Sequence, residues 1–148
     1  MNNKIPPPIV TLISGLAIYF SRNLFPNHSG IMLDVFSILL LLCGIIIIRT
    51  AFLSFKNHQT TINPLNLTKT STLVNTGIFK YTRNPMYLGM VFILLSIALK
   101  FNLYGGLIVL FLFFSFITKF QIIPEEKAME NLFEQEFKNY KKTTRRWL

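Results

Sequence analysis

Apolar and polar stretches alternate along the chain at a spacing that predicts helices. Apolar residues dominate from Ile9 to Phe20, from Ile31 to Ile48 and on into Phe52, from Met86 to Leu99, and from Leu103 to Thr118. These runs predict four helices over about residues 9–25, 31–53, 86–99 and 103–119. The second is long enough to cross a hydrocarbon core of roughly 30 Å. The last two have about fifteen residues each, roughly 22 Å at 1.5 Å per residue. They predict a tight hairpin around Lys100-Phe101-Asn102, with its inner ends below the membrane surface. After Pro124 the pattern changes. Met129, Leu132, Phe133, Phe137 and Tyr140 fall on one face of an otherwise charged helix over about residues 125–142, suited to lying against a membrane or a bundle.

The predicted fold class is therefore an all-α integral membrane domain spanning residues 1–148. It has four transmembrane helices, the last two a short hairpin, and a cytoplasmic amphipathic C-terminal helix. Phe20-Ser21-Arg22-Asn23 is a poor cleavage sequence, so the first run reads as a retained helix rather than a signal peptide. Composition agrees, since 51% of residues are hydrophobic and 14% charged, against about a quarter charged in soluble domains. The net charge of +9 does not imply nucleic acid, because the basic residues flank apolar segments. With the amino terminus inside, Lys4, Arg49, Lys56, Lys69, Lys80, Arg83, Lys119, Lys127, Lys138, Lys141, Lys142, Arg145 and Arg146 lie on the inner side. Arg22 and Lys100 lie outside. That bias places both termini in the cytoplasm, and the protein in the inner membrane if it is bacterial. Cys43 stands alone in an apolar run and reads as a small buried hydrophobe. His28 and His58 have no partners at ligand spacing, so no metal is expected.

Candidate chemistry concentrates in the stretch from Ser71 to Gly89, S-T-L-V-N-T-G-I-F-K-Y-T-R-N-P-M-Y-L-G. Thr76-Gly77 is a turn signal. Phe79, Tyr81 and Tyr87 surround Arg83. Asn84-Pro85 reads as a helix start with Asn as the cap, and the positive dipole end of that helix is a natural seat for an anionic group. A small cofactor with a carboxylate, an aromatic base and a cation finds a partner for each part here. Arg145-Arg146-Trp147 reads as a basic and aromatic interfacial anchor.

The pairing of G-I-F-K-Y-T-R-N-P-M-Y-L-G with the later P-E-E-K-A-M-E-N-L-F-E-Q-E-F-K-N-Y resembles the isoprenylcysteine carboxyl methyltransferase family and its bacterial relatives, with phospholipid methyltransferases as more distant kin. The resemblance covers about residues 60–148. It implies a membrane enzyme that uses S-adenosylmethionine and a lipid-like or prenylated substrate. Carried over, the cofactor contacts fall on Ser71, Thr72, Leu73, Val74, Phe79, Asn84, Pro85, Met86, Tyr87 and Glu125. Asn84 stands where relatives commonly have His, and Phe133-Glu134 where they have Phe-Gly. Gln121 takes the position of a substrate-binding Arg.

The expected function is methyl transfer from S-adenosylmethionine to a membrane-soluble amphiphile bearing a carboxylate or another O or N nucleophile, at the cytoplasmic interface. In this reading Glu125 holds the cofactor's ammonium or ribose hydroxyls, while Arg83 and the helix start at Pro85 hold its carboxylate. Aromatic faces of Phe79, Tyr81 or Tyr87 stabilise its sulfonium. Glu126 or Tyr87 is the candidate general base. The competing class is a non-enzymatic four-helix scaffold or small transporter subunit; the absence of an internal repeat and of buried charges along the membrane segments argues against a transporter.

Overall fold

A computed structural model describes residues 5–26, 30–57 and 72–148. The described residues form helices and no strand: α1 (Pro7–Phe20), α2 (Ile31–Asn57), α3 (Pro85–Phe101), α4 (Leu103–Ile117) and α5 (Ile123–Thr143). Pro7 opens α1, where a missing N–H costs nothing. The predicted 9–25 helix tightens after Phe20 into a 3₁₀ turn over Ser21–Leu24, and α2 runs on to Asn57.

Helix α2 has an inverted pattern compared with a helix facing water. Its buried residues are Ser37, Gly44 and Ala51, one small residue every two turns. Leu39, Leu42, Ile46 and Phe52 face outward and are about half exposed. A stripe of large exposed aliphatic side chains is unfavourable in water and suits lipid. Cys43 belongs to this outward face and is exposed. Its expected burial does not hold, because it is the neighbouring Gly44 that turns toward α3. Two stretches are long and apolar enough to cross a bilayer, Ile31–Asn57 and the continuous Leu103–Thr143, while Pro85–Phe101 is shorter. In the second stretch the apolar part is α4. Nine of the 21 residues of α5 are charged, so that helix belongs outside the hydrocarbon.

Helix α3 is the hub, packing on α1, α2 and α4, with α2 its most extensive partner. Tyr87, Met90, Leu94 and Ala98 line a core with Ile18, Phe113, Ile117 and Ile122. The α2–α3 crossing is close enough for backbones to touch: a Cβ on Gly89 falls 2.8 Å from the Gly44 carbonyl oxygen, and one on Gly44 falls 2.8 Å from that of Gly89.

The hairpin between α3 and α4 is tighter than the sequence suggests, with Asn102 alone between the helices. Its Oδ1 accepts from the Gly105 N–H at 3.0 Å and its Nδ2 donates to the Ser21 Oγ at 3.0 Å. This buried side chain therefore caps α4 and ties it to the end of α1. On the same side Lys100 meets Asp34 at 2.8 Å, a pair with both side chains about half exposed and worth little in stability.

The tail is not a separate element. A π-turn over Thr118–Ile122 carries α4 directly into α5. Pro124 lacks the N–H that an α-helix would direct at Phe120, and the wider turn accommodates that loss. The expected apolar face of α5 is met by Phe137 and Tyr140, which are buried with Ala51, Leu73, Val74 and Phe79, and by partly buried Met129 and Phe133. Leu132 departs from it, at 45% exposed. The helix also breaks at Glu134, whose φ of 36° and ψ of −107° lie outside the helical region.

These contacts give two expected outcomes. Gly89→Ala forces backbone apart and should cost about 1–3 kcal/mol, whereas Gly15→Ala meets only side-chain ends, Ile97 at 3.2 Å and Leu94 at 3.8 Å, and should be tolerated; thermal melting in detergent separates them. Glu134→Gly relieves a conformation that favours glycine and should raise stability by about 1 kcal/mol, read as a higher melting midpoint.

Candidate functional site

Three stretches converge at the start of α3: residues 72–84, the first turn of α5, and residues 144–147. Gly77 takes a φ of 60°, which a Cβ would resist. It opens a 3₁₀ turn, Gly77–Lys80, that buries Phe79. The Phe79 ring meets Phe55 edge-on at 5.1 Å, and its carbonyl accepts from the Tyr140 hydroxyl at 2.6 Å. Pro85 then begins α3, as its fixed φ favours.

Asn84 does not cap α3 with its side chain. Its Nδ2 donates instead to the Arg146 carbonyl at 2.9 Å, while its own N–H is taken by the Thr82 Oγ1 at 3.1 Å. Residues 144–147 present carbonyls to this loop, and an amide side chain satisfies them better by donating than by capping.

The charged centre is Glu126. Arg83 donates to its Oε1 from Nη2 at 2.7 Å and from Nε at 3.2 Å. Arg146 donates to Oε2 from Nη2 at 2.6 Å and to Oε1 from Nε at 3.2 Å. Arg83 Nη1 also donates to the Thr144 carbonyl. Burial alone would raise the Glu126 pKa, but the hydrogen bonds and charges of Arg146 and Arg83 outweigh it and hold the carboxyl below its ordinary range. Two sequence expectations change here. Arg83 is fully engaged by Glu126 and Thr144, so it is a strut rather than a free cation for a carboxylate. Glu126, tied by two guanidinium groups, is a poor proton acceptor.

Glu125, one residue earlier, has the opposite environment. Its Oε1 accepts the Tyr87 hydroxyl at 2.6 Å. Desolvation by burial dominates and pushes its pKa up to about 7, against the lowering effect of the Tyr87 hydrogen bond, with the charge of Glu126 adding to the rise. Tyr87 is thus a donor to Glu125 and not a free base. The structure joins α3 to α5 through this pair.

Among the other predicted residues, Leu73, Val74 and Phe79 are buried in one cluster with Met86 against it. Thr72 is exposed, and Ser71 lies outside the described residues, as do His28 and His58. Tyr81 is 75% exposed and contributes no face to the site. Gln121 is buried, but its Nε2 donates to the Ile5 carbonyl at 2.9 Å. The π-turn directs it at the segment before α1, so one N–H of its amide is taken by the Ile5 carbonyl. No group of three or more His, Cys, Asp or Glu among the described residues is placed to hold a metal. Arg146, Thr82, Thr144 and Tyr140 complete the site without having been foreseen as part of it. For Arg146 the sequence signal was a basic run beside Trp147, which fits an interfacial anchor equally well.

Among the described residues, helices with outward-facing aliphatic stripes and a polar cluster at one helix end have the features of a membrane protein. Residues 33–136 match the family model described as phospholipid methyltransferase, and the chain belongs to that family. This is the more distant of the kin that the sequence resembled, and it indicates a methyltransferase without carrying the isoprenylcysteine type. No curated protein and no solved structure matches the chain.

Removing the charge of Glu126 leaves two guanidinium groups facing each other. Glu126→Gln should therefore cost about 3–5 kcal/mol. Because its folded pKa is lowered, the contribution of Glu126 is present above its unfolded pKa and is lost as pH falls through the folded value. Melting midpoints of the wild type should drop steeply on acidification below about pH 4.5, and those of the Gln variant should drop less.

Proposed function

We propose that this protein transfers the methyl group of S-adenosylmethionine to a lipid-like amphiphile at the cytoplasmic face of the membrane. The observation that carries the reading is the buried Tyr87–Glu125 pair at the junction of α3 and α5. S-adenosylmethionine, when bound, supplies an electrophilic methyl group on a sulfonium. The residues present fit such a group by their chemistry. Glu125 is a buried acid whose neighbour Tyr87 occupies one oxygen, leaving the other for an ammonium or ribose hydroxyls. The first N–H groups of α3 suit a carboxylate, a role they take without Arg83. Leu73, Val74 and Met86, with the ring of Tyr87, offer apolar and aromatic surface, and a ring face favours a sulfonium. Thr72, Phe79, Asn84 and Pro85 shape the walls through the loop and the helix start.

Methyl transfer to a ready nucleophile is mainly a matter of alignment and exclusion of water. A carboxylate acceptor needs no base. An amine acceptor needs a base, and Glu126, tied by two guanidinium groups, is poorly suited to that role. Membership of the phospholipid methyltransferase family supports a lipid acceptor over a prenylated one. The same proposal takes residues 1–148 as one domain with α1–α4 all in the bilayer. The α3–α4 hairpin spans it incompletely, and both ends of the chain lie on the cytoplasmic side. The concentration of Lys and Arg on that side supports this orientation.

Calorimetry with the detergent-purified protein tests the reading. Glu125 must be ionised to meet an ammonium, so affinity for S-adenosylmethionine should rise as pH rises through about 7. Glu125→Gln should weaken binding by about 1–3 kcal/mol and flatten that dependence. Equal affinity for wild type and variant across this range would remove Glu125 from the cofactor site.

A further inference from the structure

Beyond the matched residues 33–136, the chain leaves α5 and folds back over the loop that precedes α3. The Arg83 N–H donates to the Arg145 carbonyl at 3.0 Å. The Arg146 carbonyl accepts from Asn84 Nδ2 at 2.9 Å and from Thr82 Oγ1 at 3.4 Å. Thr144 Oγ1 donates to the Lys80 carbonyl at 3.3 Å. Trp147 then stacks on Phe114 of α4, with ring centroids 4.4 Å apart and planes 25° apart. Residues 144–147 thus bind the 80–84 loop through backbone and side chain, and α4 through an aromatic ring.

The Arg146 side chain adds what these contacts lack. Arg83 reaches only Oε1 of Glu126. A carboxylate held at one oxygen can still turn about its last bond. Arg146 takes Oε2 at 2.6 Å and shares Oε1 at 3.2 Å, which fixes the carboxylate plane. Glu126 sits beside Glu125 in the first turn of α5, and Glu125 meets Tyr87 three residues after Asn84. The clamp therefore lies within a turn of the Tyr87–Glu125 pair on both helices. Its side chain is 37% exposed, against 9% for Arg83, so it closes the cluster from the solvent side.

We propose that Arg146 is a positioning residue: it fixes Glu126, and through it the first turn of α5 against the start of α3, so that Glu125 is held where a cofactor must meet it. The proposal rests on the methyl-transfer reading above. Arg146 itself touches neither cofactor nor acceptor.

The test uses the full chain in detergent, with Arg146→Lys, Arg146→Gln and, as control, Arg145→Ala, which keeps the carbonyl that Arg83 uses. Two measurements are made on each: amide hydrogen exchange across residues 80–84, and S-adenosylmethionine affinity as a function of pH. Lys keeps the charge but loses the fork. Arg146→Lys should therefore bind the cofactor about ten-fold more weakly, the order of loss when a partner that orients a binding group is removed, with an unchanged pH midpoint. Arg146→Gln should bind at least as weakly and shift the midpoint upward, because Glu126 would then act on Glu125 with less of its charge balanced. The amide of Arg83 should exchange faster in both variants than in wild type or Arg145→Ala. Wild-type affinity and midpoint in both variants would overturn the proposal and leave Arg146 an interfacial anchor. So would an affinity loss in Arg145→Ala equal to theirs. If wild type binds no S-adenosylmethionine, the methyl-transfer reading fails. The exchange measurement still judges the clamp: faster exchange at Arg83 in Arg146→Gln upholds it, and unchanged exchange overturns it.

Discussion

Glu126 is a carboxylate taken almost entirely out of water, and the polar cluster at the start of α3 is arranged around that fact. Desolvation of such a group is costly; two guanidinium groups outweigh it for the carboxylate but give up part of their own solvation to do so. The cluster Arg83–Glu126–Arg146 is therefore a weak source of net stability and a strong source of geometry. It links residues 43 and 20 positions apart in the chain, and each must be in place for the other two to be satisfied. Hydrogen bonds from the Arg83 N–H and from the Thr82 and Asn84 side chains to the carbonyls of residues 145–146 make the arrangement cooperative.

The helices beneath are held by a different physics. In lipid, large aliphatic side chains gain little by turning inward, so association depends on close packing of small residues. Gly44 and Gly89 provide it, and they set the line along which α2 and α3 cross. Because α3 begins at Pro85, four residues before Gly89, that crossing also fixes where the polar loop emerges. The membrane contact positions the frame, and the ion cluster positions what stands on it.

The helices were legible from the apolar runs, and the start of α3 from Asn84-Pro85, because these are local signals. The pairing of Tyr87 with Glu125 was half legible, since both residues were assigned to one cofactor site without a contact between them. What could not be read is long-range and depends on which donor reaches which acceptor. Arg83 and Arg146 are alike in sequence terms, each a basic residue beside aromatics at a membrane edge. Gln121 occupied a position of interest by resemblance, yet a π-turn that no composition announces sends its amide to Ile5. Asn84 has the residue type of a cap and serves as a donor, because the carbonyl of Arg146, 62 positions away, arrives in front of it.

Glu125 and Glu126 show most directly how position governs chemistry here. They are the same residue type, adjacent, in one helical turn. Burial, aided by the charge of Glu126, raises the first to about 7 against the lowering effect of the Tyr87 hydroxyl, while two cations lower the second. Divergent pKa values in neighbouring acids are a recognised way for one site to divide its tasks. Glu126 stays ionised at every physiological pH and serves as structure. Glu125 meets the neutral Tyr87 hydroxyl instead of a guanidinium group. Under the positioning proposed for Arg146, the ionised Glu126 anchors the first turn of α5 and so holds Glu125 in its buried place beside Tyr87.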